Sequence, residues 1–285
     1  MKLCFITPET DWSINLVPEL LKLRHEVLVN RCEEDCDVIF AIERTMSQLT
    51  MMLHKKYPHI PLVVNNWDWY DYTDKTKGTY PLFIQLLKEA KEVWSGDMDT
   101  AQRTEKEIGI KSPFSHYIMI LPWEWEGEKK DYGYVMMGAR RDKNKRADWF
   151  CKACEELDIP YKCYHPEDNS RQDYINTLKN CSFLVTPDRE CGVTIPATEA
   201  FYCHKPALSA DNPGTREMWG DDGFYYSRDD YEDFKDKIGN LWKTYKEKTI
   251  QEKVEKCYNR VIENFTPDKF ALKISDRLNG IIQKI

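Results

Sequence analysis

Three loops of this sequence carry residue types that could hold a phosphorylated, hydroxyl-rich ligand. The first is Gly138-Ala-Arg140-Arg141-Asp-Lys143-Asn-Lys145-Arg146. Cations placed between a strand and a helix can clamp a diphosphate through charge-assisted hydrogen bonds and stabilise it as a leaving group. The same composition also suits a solvated charged loop. The second is Thr186-Pro-Asp-Arg-Glu190-Cys191-Gly192-Val193-Thr194-Ile-Pro196-Ala-Thr-Glu199-Ala200. Pro196 fits a first helical turn, and the free amides around Gly192 to Thr194 would face an anionic or hydroxyl-rich ligand. An ionised glutamate accepts hydrogen bonds from vicinal hydroxyls, which suits Glu190 to a hexose and Glu199 to a ribose. The competing reading of Glu199 is a negative charge favoured near a helix start. The third loop, Ser209-Ala-Asp211-Asn-Pro213-Gly214-Thr215-Arg216-Glu217, reads on its own as a turn with a capping residue.

A fourth segment, Asn65-Asn66-Trp67-Asp68-Trp69-Tyr70-Asp71-Tyr72, follows an apolar run and mixes aromatic faces with carboxylates. Trp67, Asp68 and Trp69 suit a sugar ring or a nucleobase and are the candidates for the acceptor side. Aromatics packed at a domain edge would read the same way. Cys151-Lys-Ala-Cys154 has the spacing of half a zinc site, but it lies in a helical pattern with no second pair at ligand spacing, so no metal is expected.

These loops need strands to hold them, and the chain supplies short β-rich runs alternating with amphipathic stretches, the pattern of βα units and a mainly parallel sheet. Strands are expected at Leu3 to Ile6, Val27 to Val29, Val38 to Ile42, Leu62 to Val64, Glu92 to Trp94 and Tyr117 to Ile120. The pattern restarts after Pro122 to Asp131, a proline- and glycine-bearing charged stretch expected to be a linker. Further strands follow at Tyr134 to Met137, Tyr161 to Tyr164, Phe183 to Val185, Ala207 to Ser209 and Phe224 to Tyr226, and the chain is helical from Asp229 on. The expected domains are 1–125 and 131–265. The helix over 268–285 can stay on the second or pack back on the first.

The 285 residues, 41% hydrophobic and 31% charged, give a globular balance rather than a disordered one. A net charge of −7 argues against a surface that grips nucleic acid throughout. The apolar run at the amino terminus is too short for a signal core, and no stretch reaches bilayer length, in keeping with a mean hydropathy of −0.66. The ten cysteines fall mostly inside expected strands and helices, where they act as small hydrophobes. A soluble cytoplasmic protein is expected.

From Tyr134 to Asp233, three segments in order resemble the donor-binding domain of the retaining GT-B glycosyltransferases called glycosyl transferases group one (family four). They are G-A-R-R…K, then P-D-R-E-C-G-V-T-I-P-A-T-E-A-F-Y-C-H-K-P-A-L-S-A-D, then G-T-R-E-M-W-G-D-D-G. The resemblance implies a GT-B fold, with two Rossmann-like α/β domains facing a central cleft. It implies transfer of a sugar from a nucleotide-sugar donor, such as a UDP- or GDP-sugar, to an acceptor hydroxyl with retained anomeric configuration and without metal or cofactor. Arg140 and Lys145 would hold the diphosphate, with Gly138 and Arg141 beside them. Glu190, Cys191 and the Gly192, Val193 and Thr194 backbone would hold the sugar, and Glu199 the ribose. The family's two glutamates enclose seven residues, whereas Glu190 and Glu199 enclose eight. The amino-terminal half is compact and replaces the family's glycine-rich first loop with Thr7-Pro-Glu-Thr-Asp11-Trp12-Ser13. Rival readings are a nucleotide-sugar epimerase, a phosphorylase or a non-catalytic nucleotide-sugar-binding protein. The acceptor stays open among glycan, lipid, protein and modified DNA base.

Overall fold

The computed structural model describes residues 1–7, 16–42, 46–66, 80–115, 122–138, 145–165, 168–188 and 195–283. The chain divides into two compact units, Met1–Met119 with Pro267–Ile285, and Ile120–Thr266.

In the first unit, β1 (Lys2–Ile6), β2 (Glu26–Val29), β3 (Val38–Ile42), β4 (Leu62–Asn66), β5 (Glu92–Ser95) and β6 (Phe114–Ser115) form a six-stranded sheet in the order β2-β1-β3-β4-β5-β6. Every pairing is parallel. The central strands are continuous apolar runs because both faces are covered, as parallel sheets require. Cys4, Ile6, Ile39, Ala41, Leu62 and Val64 pack with Met51 of α2 (Ser47–Lys56) and with Phe83, Leu86 and Leu87 of α3 (Tyr80–Glu89). Their alternates Leu3, Phe5, Val38, Phe40, Val63 and Trp94 pack with Val17 and Leu21 of α1 (Leu16–Lys22). Asp97 caps α4 (Met98–Ile108) by accepting from the Thr100 amide at 2.8 Å, and Gly109 ends it at φ 74°.

The second unit holds β7 (Val135–Gly138), β8 (Tyr161–Tyr164), β9 (Phe183–Thr186), β10 (Ala207–Ala210) and β11 (Phe224–Tyr226) in a parallel sheet of order β11-β10-β9-β7-β8. Between them run α5 (Ala147–Glu156), α6 (Arg171–Asn180), α7 (Ile195–Tyr202) and α8 (Pro213–Trp219). Then come α9 (Tyr231–Thr244) and α10 (Lys248–Asn264). One face is filled by Phe150, Ala153, Cys154, Phe234, Ile238 and Leu241 against Val135, Met137, Phe183 and Val185.

The stretch expected as a linker packs along this second unit. Trp125, at the end of a single 3₁₀ turn (Pro122–Trp125), is buried and meets Tyr174 edge to face. Lys129 donates to the carbonyl of Tyr202, and Asp131 accepts from Ser182 and Tyr245. A proline, a glycine and charges mark a loop, but nothing in them says whether its tryptophan finds a groove.

After Thr266, α11 (Pro267–Ile282) returns to the first unit, where Phe270, Ile274, Leu278 and Ile281 join the core cluster of Phe5, Phe40 and Trp94. Arg277 forks onto Glu92 at 3.0 and 2.8 Å. Among the described residues no helix is long and apolar enough to cross a membrane.

Candidate functional site

The second sheet changes direction between β7 and β9. From β7 the chain steps to β8 on one side, crosses back to β9 on the other, and continues to β10 and β11. Such a reversal opens a crevice beyond the carboxyl ends of the two central strands, because the loops leaving them run to opposite sides. Here those ends are Gly138 and Thr186, with Met137 in register with Val185.

Lys145 spans this point, its Nζ 3.1 Å from Oδ2 of Asp188 just past β9. The side chains are 24% and 9% exposed, so an ammonium sits half-sheltered at the place where parallel sheets bind ligands. Arg146, next in sequence, has a different task. Its backbone takes φ 44° at the start of α5, and its guanidinium lies 4.2 Å from the Trp149 ring centre. It donates to the Arg228 carbonyl and, at 2.5 Å, to Asp229, which ties α5 to the segment after β11. Arg140 and Arg141 lie outside the described residues.

Glu199 on α7 is 2% exposed. Its Oε1 accepts from Arg171 at 2.5 Å and its Oε2 from the Tyr174 hydroxyl at 2.7 Å. The same Arg171 nitrogen reaches Glu124 at 2.7 Å, and the guanidinium lies 5.3 Å from the Trp125 ring centre and 5.1 Å from that of Tyr174. Burial pushes the Glu199 carboxyl above its ordinary range, opposed by Arg171 and Tyr174. Burial and the neighbouring Glu199 hold the Tyr174 hydroxyl well above its ordinary value. Burial also opposes the charge on Arg171, but the two carboxylates outweigh it and hold the guanidinium firmly protonated.

Tyr174 joins this cluster to the first loop. A Cβ on Gly138 would lie 2.6 Å from Tyr174 Cε2, so the strand ends in glycine where the ring passes over it. Gly138, Lys145 and Glu199 are thereby placed at the carboxyl edge of one sheet or linked to it through Tyr174. Glu190, Cys191, Gly192, Val193 and Thr194 lie outside the described residues.

The third loop is a capping box: Asn212 Oδ1 accepts from the Thr215 amide at 2.9 Å. Arg216 is spent on Asp211 through two contacts of 2.7 Å. In the first unit, Trp67, Asp68 and Trp69 lie outside the described residues. Before them Asn66 donates to Thr104 at 2.9 Å and Asn65 is fully buried. Among the described residues no group of three or more histidine, cysteine or acidic side chains is placed to hold a metal ion.

Sequence reading missed Asp188, Arg171, Tyr174, Glu124 and Trp125 as parts of this site. Asp188 stands in the segment Thr186-Pro-Asp-Arg-Glu190 and was open to notice. Arg171 begins a helix behind the Ser170–Asp173 capping box, where an exposed cation is the ordinary expectation.

Residues 121–260 match the family model described as glycosyl transferases group 1. No curated protein matches the chain. Among solved structures, the sucrose-phosphate synthase of Thermosynechococcus elongatus superposes with a TM-score of 0.76 at 9% identity, covering 100% of both chains. Anabaena Alr3699/HepE, solved in complex with UDP, gives 0.73 at 12% identity over 98% of this chain and 100% of its own. A glycosyltransferase from Rickettsia africae gives 0.70 at 12% identity over 100% and 99%. At such identities the likeness is one of fold.

Proposed function

We propose that this chain, whose residues 121–260 match the glycosyl transferases group 1 and which has the GT-B fold, moves a sugar from a nucleotide-sugar donor to an acceptor hydroxyl with retention of anomeric configuration. The observation that carries the reading is the placement of Lys145 against Asp188 across the β7/β9 reversal. A cation there meets the negative charge that grows on a departing diphosphate, and being already in place it costs little reorganisation. Arg140 and Arg141 share that task. Glu190 and the 192–194 backbone hold the transferred sugar, and Glu199 accepts the ribose hydroxyls. Asp68, with Trp67 and Trp69, lies on the acceptor side.

As the bond from the anomeric carbon to the diphosphate oxygen breaks, the acceptor oxygen bonds that carbon on the same face and its proton passes to the leaving diphosphate. The cations balance the charge, so no divalent ion is required. A UDP-sugar is the first donor to try, since the solved structures of the Anabaena neighbour include one in complex with UDP-glucose.

The test is incubation with a panel of UDP- and GDP-sugars, with and without candidate acceptors, assaying free nucleotide and the anomer of the product by NMR. Acceptor-dependent nucleotide release with a retained anomer, unchanged by EDTA, is expected. An inverted product, or activity lost to EDTA and restored by manganese, would contradict the mechanism. Binding without turnover on any donor would favour a binding protein.

A further inference from the structure

A carboxylate as buried as Glu199 loses nearly all its hydration, and an isolated one takes up a proton rather than stay charged. A protonated Glu199 would offer one donor and fewer acceptor sites, a poor match for two vicinal hydroxyls that both donate. The groups around it decide which form it takes. Arg171 and Tyr174 come from α6, and Glu124 from the turn that ends at Trp125. Cys203 lies just past α7, and burial raises its thiol to about 12, so it stays neutral. The flanking strands β9 and β10 have no titratable side chain. Packed against α7, α10 carries Cys257, also pushed by burial to about 12, and Tyr258, whose ring lies 5.9 Å from that of Tyr202. Among the described residues, Arg171 is the cation in contact with Glu199.

The geometry points to Arg171 as a positioning residue of the donor site: it holds the buried Glu199 as an anion anchored through Oε1, leaving lone pairs that accept two vicinal hydroxyls of the donor's ribose. This rests on the ribose reading of Glu199 given above. An ionised carboxylate has about four lone-pair sites. Arg171 and Tyr174 take one on each oxygen, so one on each remains. Glu124, on the same guanidinium nitrogen, keeps Arg171 from turning away when Glu199 engages a ligand. Burial raises the Glu199 carboxyl, and Arg171 is the largest influence opposing that rise.

The experiment is calorimetry of UDP against 2′-deoxyUDP, and of GDP against 2′-deoxyGDP, from about pH 5.5 to 8.5. Wild type should prefer the ribonucleotide by a factor that is level across this range. In Arg171→Met and Arg171→Gln the preference should shrink roughly tenfold near pH 6 and recover as pH rises and Glu199 loses its proton. Arg171→Lys should restore the level profile. A purely structural ion pair would lower thermal stability without creating this pH dependence. The glutamine variant keeps a hydrogen-bond donor and so guards against simple misfolding. A wild-type, pH-independent preference in either neutral variant overturns the inference. Glu199→Ala, measured alongside, separates the two ideas: if it still prefers the ribonucleotide, the ribose reading itself fails. If it loses the preference while the neutral Arg171 variants keep theirs, only the role of Arg171 fails.

Discussion

Replacing Lys145 with alanine removes a cation from the β7/β9 reversal and strips Asp188, 9% exposed, of its partner. Two effects should separate. Charge-assisted contacts are worth about 1.5–3 kcal/mol, so Lys145→Ala should weaken a nucleoside diphosphate roughly tenfold or more in calorimetry and spare the nucleoside. Unfolding should also become easier by about 1–3 kcal/mol, because Asp188 is left a sheltered, unpaired carboxylate. Lys145→Ala with Asp188→Asn should recover stability but not diphosphate binding, and equal losses for diphosphate and nucleoside would refute the assignment. Gly138→Ala tests the other side of the reversal. Its methyl group would meet the Tyr174 ring at 2.6 Å, an overpacking that costs about 1–3 kcal/mol. By pushing the Tyr174 hydroxyl off Glu199 it should reduce the ribose preference as Tyr174→Phe does, and an unchanged preference in both variants would show that Tyr174 does not orient Glu199.

Elements were legible where both faces of a strand are buried, since runs such as Val38 to Ile42 and Phe183 to Val185 declare themselves by composition. Loops and edges were harder. The edge strand β6 is two residues long and offers no period, while the strand expected at Tyr117 to Ile120 lies outside the described residues. The family match covers residues 121–260 and not residues 1–120, so the candidate site was readable mainly in the second unit. Even there, residue type alone does not separate Lys145 from Arg146, two cations in one loop; only the family resemblance singled out Lys145, and backbone direction takes Arg146 to Asp229. The 122–133 stretch shows how a loop without period is fixed by single side chains. Asp131 Oδ1 accepts from the Gly133 amide at 3.0 Å and Ser182 at 2.7 Å, while Oδ2 accepts from Tyr245 at 2.8 Å and lies 3.1 Å from Lys246. Burial would raise this carboxyl, but these partners together hold it well below the carboxylate range. A depressed carboxylate stabilises the fold above its unfolded pKa of about 3.9 and loses that contribution as pH falls toward its folded value. Urea unfolding should therefore show Asp131→Asn about 1–3 kcal/mol less stable between roughly pH 5 and 8, with the gap closing below about pH 4. A gap that persists unchanged at pH 3 would mean that the ionised form is not what holds the segment.

At the scale of the whole molecule, the chain completes its first unit with its last helix. Among the described residues, the sheet face formed by Leu3, Phe5, Val38, Phe40, Val63 and Trp94 is covered partly by the seven residues of α1 and partly by α11. Without α11 this face would expose aromatic surface that a short helix cannot cover, so the stability of the first unit depends on residues that follow the entire second unit in sequence. The contacts involved are far apart along the chain, His25 to Ser275 at 2.7 Å and Glu92 to Arg277 at 2.8 Å. Such pairings form late, because loop closure is costly before the long-range contact rewards it. Ile274 is fully buried at the centre of the interface. Ile274→Ala should cost about 2–5 kcal/mol through lost transfer energy and the cavity left behind. That loss should fall on one unit. Hydrogen exchange should quicken in β1, β3 and β4 and stay at wild-type rates in β7, β9 and β10, and the nucleoside diphosphate affinity should hold under conditions where the first sheet remains folded. If both sheets lose protection together, the units open as a single cooperative block and α11 does not serve the first alone.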